Sequence, residues 1–167
     1  HITLLRATLR RFIATKSPRE KAREWERAHH FPVDVFAELA ELGVLGLTFG
    51  EEYGGAGRDV VAALVVIDEL CTRGTALAGP FVHCAMYAGL NISESGSEQQ
   101  KRELLRPVAA GQLLLAYGLS EPDVGGDLAS VKTRAERIGD RVRINGTKRW
   151  CTMARDCLLY TSPSPRD

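Results

Sequence analysis

Long apolar runs are missing from this chain of 167 residues. The longest, Val60 to Ile67, falls far short of the roughly 20 residues a membrane-spanning helix needs. Charge of one sign is missing as well: 22 Lys and Arg stand against 21 Asp and Glu, for a net charge of +1. No broad field therefore draws the protein to nucleic acid or to an anionic bilayer. Cysteine is sparse and unpatterned, since Cys71, Cys84, Cys151 and Cys157 form no CxxC pair and no zinc-type spacing with His1, His29, His30 or His83. That usage argues against a disulfide framework and a metal site, and it fits thiols kept reduced in the cytoplasm, or in the mitochondrial matrix of a eukaryote. The adjacent His29 and His30 read as solvated groups at a helix end. No repeat is visible, and 44% hydrophobic with 26% charged residues is ordinary for a globular chain that buries a core.

The first two thirds carry helical periodicity. Residues 3–15 place Leu5, Leu9, Phe12 and Ile13 on one face, with Arg6, Arg10 and Arg11 elsewhere as a solvated surface. A charge-rich helix follows over residues 20–29, after Ser17 as cap and Pro18 in the first turn. Pro32 starts a third, with Val35, Phe36, Leu39 and Leu42 aligned and Gly43 at the left-handed C-terminal position. Residues 50–57 are glycine-rich, yet no strand precedes them and no G-x-G-x-x-G is present, so a dinucleotide phosphate turn is excluded. Asp59 caps a fourth helix whose expected buried face is Val60, Ala63, Leu64, Ile67 and Cys71. An apolar helix is expected over residues 78–93. Ser97 with Gln100 marks a capping box for another that ends near Arg106 and Pro107.

After Gly111 the period changes. Leu113 to Leu119, Val131 to Ile138 and Arg141 to Asn145 read as strands, with Gly139-Asp140 as a hairpin turn and Asn145-Gly146 as a second. Strands this few leave a sheet edge and an inner face uncovered, so the β-domain reads as incomplete. The start at His1 suggests that a short N-terminal piece is missing. Residues 157–167, CLLYTSPSPRD, break the strand pattern and read as a non-native tail.

Two stretches carry chemistry: YGLSEPDVGGDLASVKT from Tyr117, and INGTKRWCT ending at Thr152. Along an extended strand, Lys148, Trp150 and Thr152 share one face while Arg149 and Cys151 take the other. The indole then covers a planar ring and the Thr152 hydroxyl bonds a polar ring edge. Glu121-Pro122-Asp123 ends the preceding strand in a turn. Gly125 and Gly126 permit angles and close approaches that a Cβ forbids. Singly, each has a plainer reading: Trp150 as a packing residue, Ser120 as a turn former, the glycines as loop. Jointly they outline a surface for a flat aromatic ring. Glu121 and Asp127 satisfy nearby backbone N–H groups in this reading, and neither is assigned catalysis.

Residues 117–127 resemble the flavin segment of the acyl-CoA dehydrogenase family, written (Y/A)xxTEPxxGSD, and Trp150-Cys151-Thr152 resembles its W-(I/V/C)-(T/S) segment. More loosely, EEYGGAGRD from Glu51 resembles the P-x-E-Y-G-G-x-G loop of the helical domain. The likeness covers most of residues 3–154. It implies an α+β fold, with an all-α N-terminal helical domain over residues 1–112 followed by the first strands of an incomplete β-barrel domain over residues 113–156. A C-terminal four-helix domain would lie beyond, carrying the family's catalytic glutamate, so no catalytic residue is expected here. The implied cofactor is FAD, contacted by Tyr117, Gly118, Leu119, Ser120, Gly125, Gly126, Trp150, Cys151 and Thr152. Gly126 would also face the acyl-CoA substrate, where the family commonly has a serine. An electron-transfer flavoprotein partner and a homo-oligomer are implied too. Two alternatives stay open: an oxidase or monooxygenase on the same fold, which the Gly126 departure keeps open because such relatives need not bind a CoA thioester, and a non-catalytic helical interaction module.

Overall fold

The computed structural model describes residues 1–73 and 76–155, together with the backbone of Leu159 and Tyr160. Helices α1 (Ile2–Lys16), α2 (Arg19–Arg27), α3 (Val33–Ala40) and α4 (Val60–Thr72) come first. A second helical run holds α5 (Ala78–Phe81), a π-helical segment (Val82–Tyr87) and α6 (Ala88–Ser95), before α7 (Glu98–Ala109). The short β1 (Leu115–Ala116) follows, then the antiparallel pair β2 (Arg134–Ile138) and β3 (Arg141–Asn145), and β4 (Leu159–Tyr160). This is the expected α+β order. The tail residues expected to be non-native lie outside the described residues, except that the backbone of β4 pairs in parallel with β1.

Local chemistry explains the helix ends. The Asp59 carboxylate accepts the Ala62 N–H at 2.8 Å. Ser97 and Gln100 exchange reciprocal cap bonds of 3.2 and 2.8 Å, satisfying donors that a helix start leaves without partners. Gly43 takes a left-handed φ of 75°. Pro18 and Pro32 stand just outside their helices, at the cap position. Pro107 does not end α7, which continues to Ala109; it lies in the last turn, where its carbonyl accepts the N–H groups of Gln112 and Leu113.

One core occupies the helical part, built from Leu9 and Ile13 of α1, Phe36 and Leu39 of α3, Val66 and Leu70 of α4, Phe49, Phe81, Leu105, Val108 and Leu115. Phe36, Phe49 and Phe81 are fully buried, each worth on the order of 2–3 kcal/mol in transfer from water. In the π-helical segment the Ala85 carbonyl takes the Thr48 hydroxyl as donor. An added Cβ at Gly89 would strike the Cys84 carbonyl and lie 2.6 Å from the Phe49 ring.

The α4 face departs from expectation. Val60, Leu64 and Cys71 are exposed, while Ala62, Ala63, Val65, Val66, Glu69 and Leu70 are buried. The run VVAALVVI is apolar all round, so its periodicity does not choose a face. The choice is made by Glu69, which turns inward to Arg6, Arg10 and Arg73 at 2.7, 2.8 and 3.1 Å. Arg6 and Arg10, expected in solvent, thereby tie α1 to α4. Leu42 lies beyond the end of α3 and is exposed.

The β part is thinner than expected. Only Leu115 and Ala116 of the stretch 113–119 are strand, and β2 begins at Arg134. Every residue of β2 and β3 is exposed on both faces, including Ile138, Val142 and Ile144. Gly139 closes the hairpin with a φ of 62°. Asn145-Gly146 does not turn into a third strand; residues 146–150 run on without regular structure.

Candidate functional site

The turn after β1 is built outward from the core. Leu114, Leu115 and Ala116 are buried, and Tyr117 emerges beside Tyr87, with ring centroids 5.7 Å apart. The Asn91 side-chain amide donates to the Tyr117 hydroxyl at 3.1 Å. Glu121 and Val124 then exchange backbone bonds of 2.9 and 3.2 Å around Pro122 and Asp123, closing a tight turn with Val124 tucked in.

Glu121 ties its own turn to two other stretches of chain. Its carboxylate accepts the N–H groups of Lys132 and Thr133 at 2.7 and 2.9 Å, the Thr133 hydroxyl, and the Lys148 ammonium at 3.0 Å. These donors, the Thr133 hydroxyl foremost and the Lys132 N–H next, hold the carboxyl down at about 2 against partial burial. Lys148 also donates to the Leu119 carbonyl at 3.1 Å, and the Arg149 N–H donates to the Ser120 carbonyl at 2.8 Å. Gly146 passes so close to Thr133 that an added Cβ would lie 2.8 Å from its Cα. Both ends of the hairpin are thus stitched to the Ser120 turn.

This stitching brings Trp150 to the turn. Ser120 to Gly125 and the indole together line a recess of about 330 Å³, at the small end of ligand pockets, which run to about 1,000 Å³. A ring system fits that volume; a whole dinucleotide extends beyond it. Trp150 is 77% exposed, and its backbone takes a left-handed φ of 59°, an uncommon conformation for a bulky residue. The Arg149 guanidinium lies 5.0 Å from the indole centroid.

The expected alternation of faces does not hold beyond Lys148. It requires continuous extended backbone, and the left-handed Trp150 and Met153, with a turn over residues 152–155, interrupt it. Thr152 lines a different groove of about 580 Å³ with Trp25, Phe31, Pro80 and Met153. Cys151 is half-buried, and burial pushes its thiol pKa up. Neither Gly125 nor Gly126 has a left-handed φ, and an added Cβ at either meets no protein atom within 4 Å. The turn bends at Pro122 and Asp123 and makes no demand on them. Ser120, Gly125 and Trp150 therefore converge on one recess, while Tyr117 packs beside Tyr87 and Asn91 and Thr152 stands apart.

Residues 1–112 match the family model described as acyl-CoA dehydrogenase, N-terminal domain. The chain belongs to the acyl-CoA dehydrogenase family. The short-chain specific acyl-CoA dehydrogenase of Clostridium acetobutylicum is 36% identical over 153 residues, covering 89% of this chain and 39% of the relative. Its mitochondrial counterpart from Rattus norvegicus is 36% identical over 151 residues, covering 89% and 36%. A glutaryl-CoA dehydrogenase from Mycobacterium smegmatis, solved in complex with FADH2, superposes with a TM-score of 0.88 at 31% identity, over 95% of this chain and 41% of that one. The chain spans well under half the length of these acyl-CoA dehydrogenases. Among its described residues no helix is long and apolar enough to cross a membrane.

Sequence reasoning missed the role of Lys148 and the contact between Arg149 and Trp150. Nothing in the spacing pairs residue 148 with residue 121. The one legible sign was a carboxylate at the mouth of a Pro turn, which needs donors from somewhere once it is buried.

Proposed function

We propose that this chain forms the N-terminal part of an FAD-dependent acyl-CoA dehydrogenase, which removes hydrogen from the α and β carbons of an acyl-CoA thioester. The recess between the Ser120 turn and Trp150, in a chain of this family, carries the reading. Ser120 offers a hydroxyl and Trp150 an indole face, and the open space over Gly125 and Gly126 leaves room for a ligand against the backbone. FAD, when bound, supplies the hydride acceptor. The chain's own residues orient the ring and exclude water from one of its sides. Thr152, facing another groove, takes no part in this arrangement.

Glu121, the buried carboxylate at this recess, does not serve as the base. Glu121 is ionised but bound to four donors, and its lowered pKa makes it a poor proton acceptor. The α-proton is removed by a group other than Glu121. An acyl-CoA substrate, an electron-transfer flavoprotein as acceptor and a homo-oligomeric state belong to the same proposal. Titrating FAD with the protein tests its first step. The expected result is a perturbed visible flavin band and quenched flavin fluorescence, both lost in Trp150→Ala. Unchanged flavin spectra at saturating protein would refute it.

A further inference from the structure

Trp150 makes little packing contact of its own, being 77% exposed, so its place beside the Ser120 turn must be inherited from its neighbours. Two ties reach across from that segment: the Arg149 N–H to the Ser120 carbonyl, and the Lys148 ammonium to both the Leu119 carbonyl and Glu121. The second is the shielded one. Side-chain exposure is 18% for Lys148 and 5% for Glu121, whereas the neighbouring Lys132–Asp123 pair is 73% and 76% exposed. Shielded, charge-assisted bonds hold geometry that solvated pairs do not. Glu121 is in turn fixed by Lys132 and Thr133 at the entry to β2.

We propose that Lys148 and Glu121 are positioning residues whose shielded ion pair sets Trp150 against the Ser120 turn and so creates the second wall of the recess. The use of that wall for a flavin ring rests on the function proposed above; the positioning itself does not. Lys148 suits the task because one compact ammonium reaches a carbonyl and a carboxylate together, a geometry that a planar guanidinium does not reproduce. Removing Lys148 leaves the Arg149 backbone bond to hold residues 147–150 at the turn, and removing the Glu121 charge leaves that bond and the Lys148 bond to the Leu119 carbonyl without their charged anchor.

The test uses the whole chain labelled with ¹⁵N, in which the two indole N–H signals of Trp25 and Trp150 are assigned through Trp25→Phe. Lys148→Met keeps the aliphatic stem and removes the charge, and Glu121→Gln removes the other partner. In both, the Trp150 signal is expected to shift towards that of a solvated indole while the Trp25 signal stays in place. FAD affinity should fall about tenfold, the scale of one charge-assisted bond. The double variant should do no more than either single one, because the two act as a unit. Lys148→Arg should restore part of both readouts and covers the case in which Lys148→Met loses the hairpin altogether. An unmoved Trp150 signal in Lys148→Met overturns the inference, whether or not FAD affinity changes. If the unaltered protein fails to bind FAD, the functional proposal falls while the indole signals still decide the positioning role.

Discussion

Replacing Glu69 by glutamine should cost more than any surface charge change in this protein, and the cost should depend on pH in a defined direction. Glu69 is 3% exposed, while Arg6, Arg10 and Arg73 are 35%, 53% and 39% exposed. Hydrogen bonds from Arg10 first, then Arg6 and Arg73, bring the carboxyl from its ordinary 4.5 down to about 2 despite the opposing penalty of burial. Such a displacement is equivalent to about 3 kcal/mol at neutral pH, and screening of the half-exposed guanidinium groups reduces it to about 2–3 kcal/mol. The folded carboxyl is more acidic than the unfolded one. Its contribution is therefore complete above about pH 4.5 and is lost as pH falls through about 2, with less than half remaining at about pH 3. Urea unfolding of both proteins, followed by far-ultraviolet circular dichroism, measures the difference directly. Glu69→Gln should lose about 2–3 kcal/mol at neutral pH, with the gap narrowing in acid. A loss under about 1 kcal/mol, or one equally large in acid, would refute the assignment of α4 orientation to this carboxylate.

Four further outcomes follow from local geometry. Gly89→Ala should lower stability by about 1–3 kcal/mol or more, because the new methyl meets the Cys84 carbonyl and the Phe49 ring; thermal melting reads this, and an unchanged midpoint would contradict the close packing at the π-helical segment. Ser97→Ala should cost about 1 kcal/mol through loss of the α7 cap, seen as a lower urea midpoint with unchanged slope. Because Glu121 is held at about 2, the Lys132 and Thr133 amide proton shifts should stay constant as pH falls through the ordinary carboxylate range and change only on approach to about 2; a midpoint near 4.5 would show that the carboxylate lacks these partners. Finally, β2 and β3, exposed on both faces, should exchange their amide protons far faster than Val66 or Leu105, since a two-stranded hairpin alone is marginal in water.

How much of this was readable beforehand depended on whether the deciding interaction was local. The caps at Asp59 and Ser97, the left-handed Gly43 and the Gly139 hairpin turn are fixed by residues within a few positions of one another. They were legible in the sequence for that reason. The α4 face was not. With apolar residues on every side, that helix was oriented by arginines on α1, 59 and 63 residues away.

The same distinction decides the candidate site. The bend at Glu121-Pro122-Asp123 was visible because proline presets it, and Trp150, expected against a flat ring, lines the recess beside that bend. Its alignment with Thr152 was inferred from strand alternation, however, and alternation is a property of paired, continuous strand. Residues 146–150 have no ladder; their course is set by Glu121 through Lys148, and by Ser120 through Arg149. Once tertiary bonds rather than a sheet direct the backbone, one left-handed residue suffices to separate side chains two positions apart. The indole and the hydroxyl consequently serve different grooves, and a ring seated against Trp150 in this arrangement meets the Ser120 turn first.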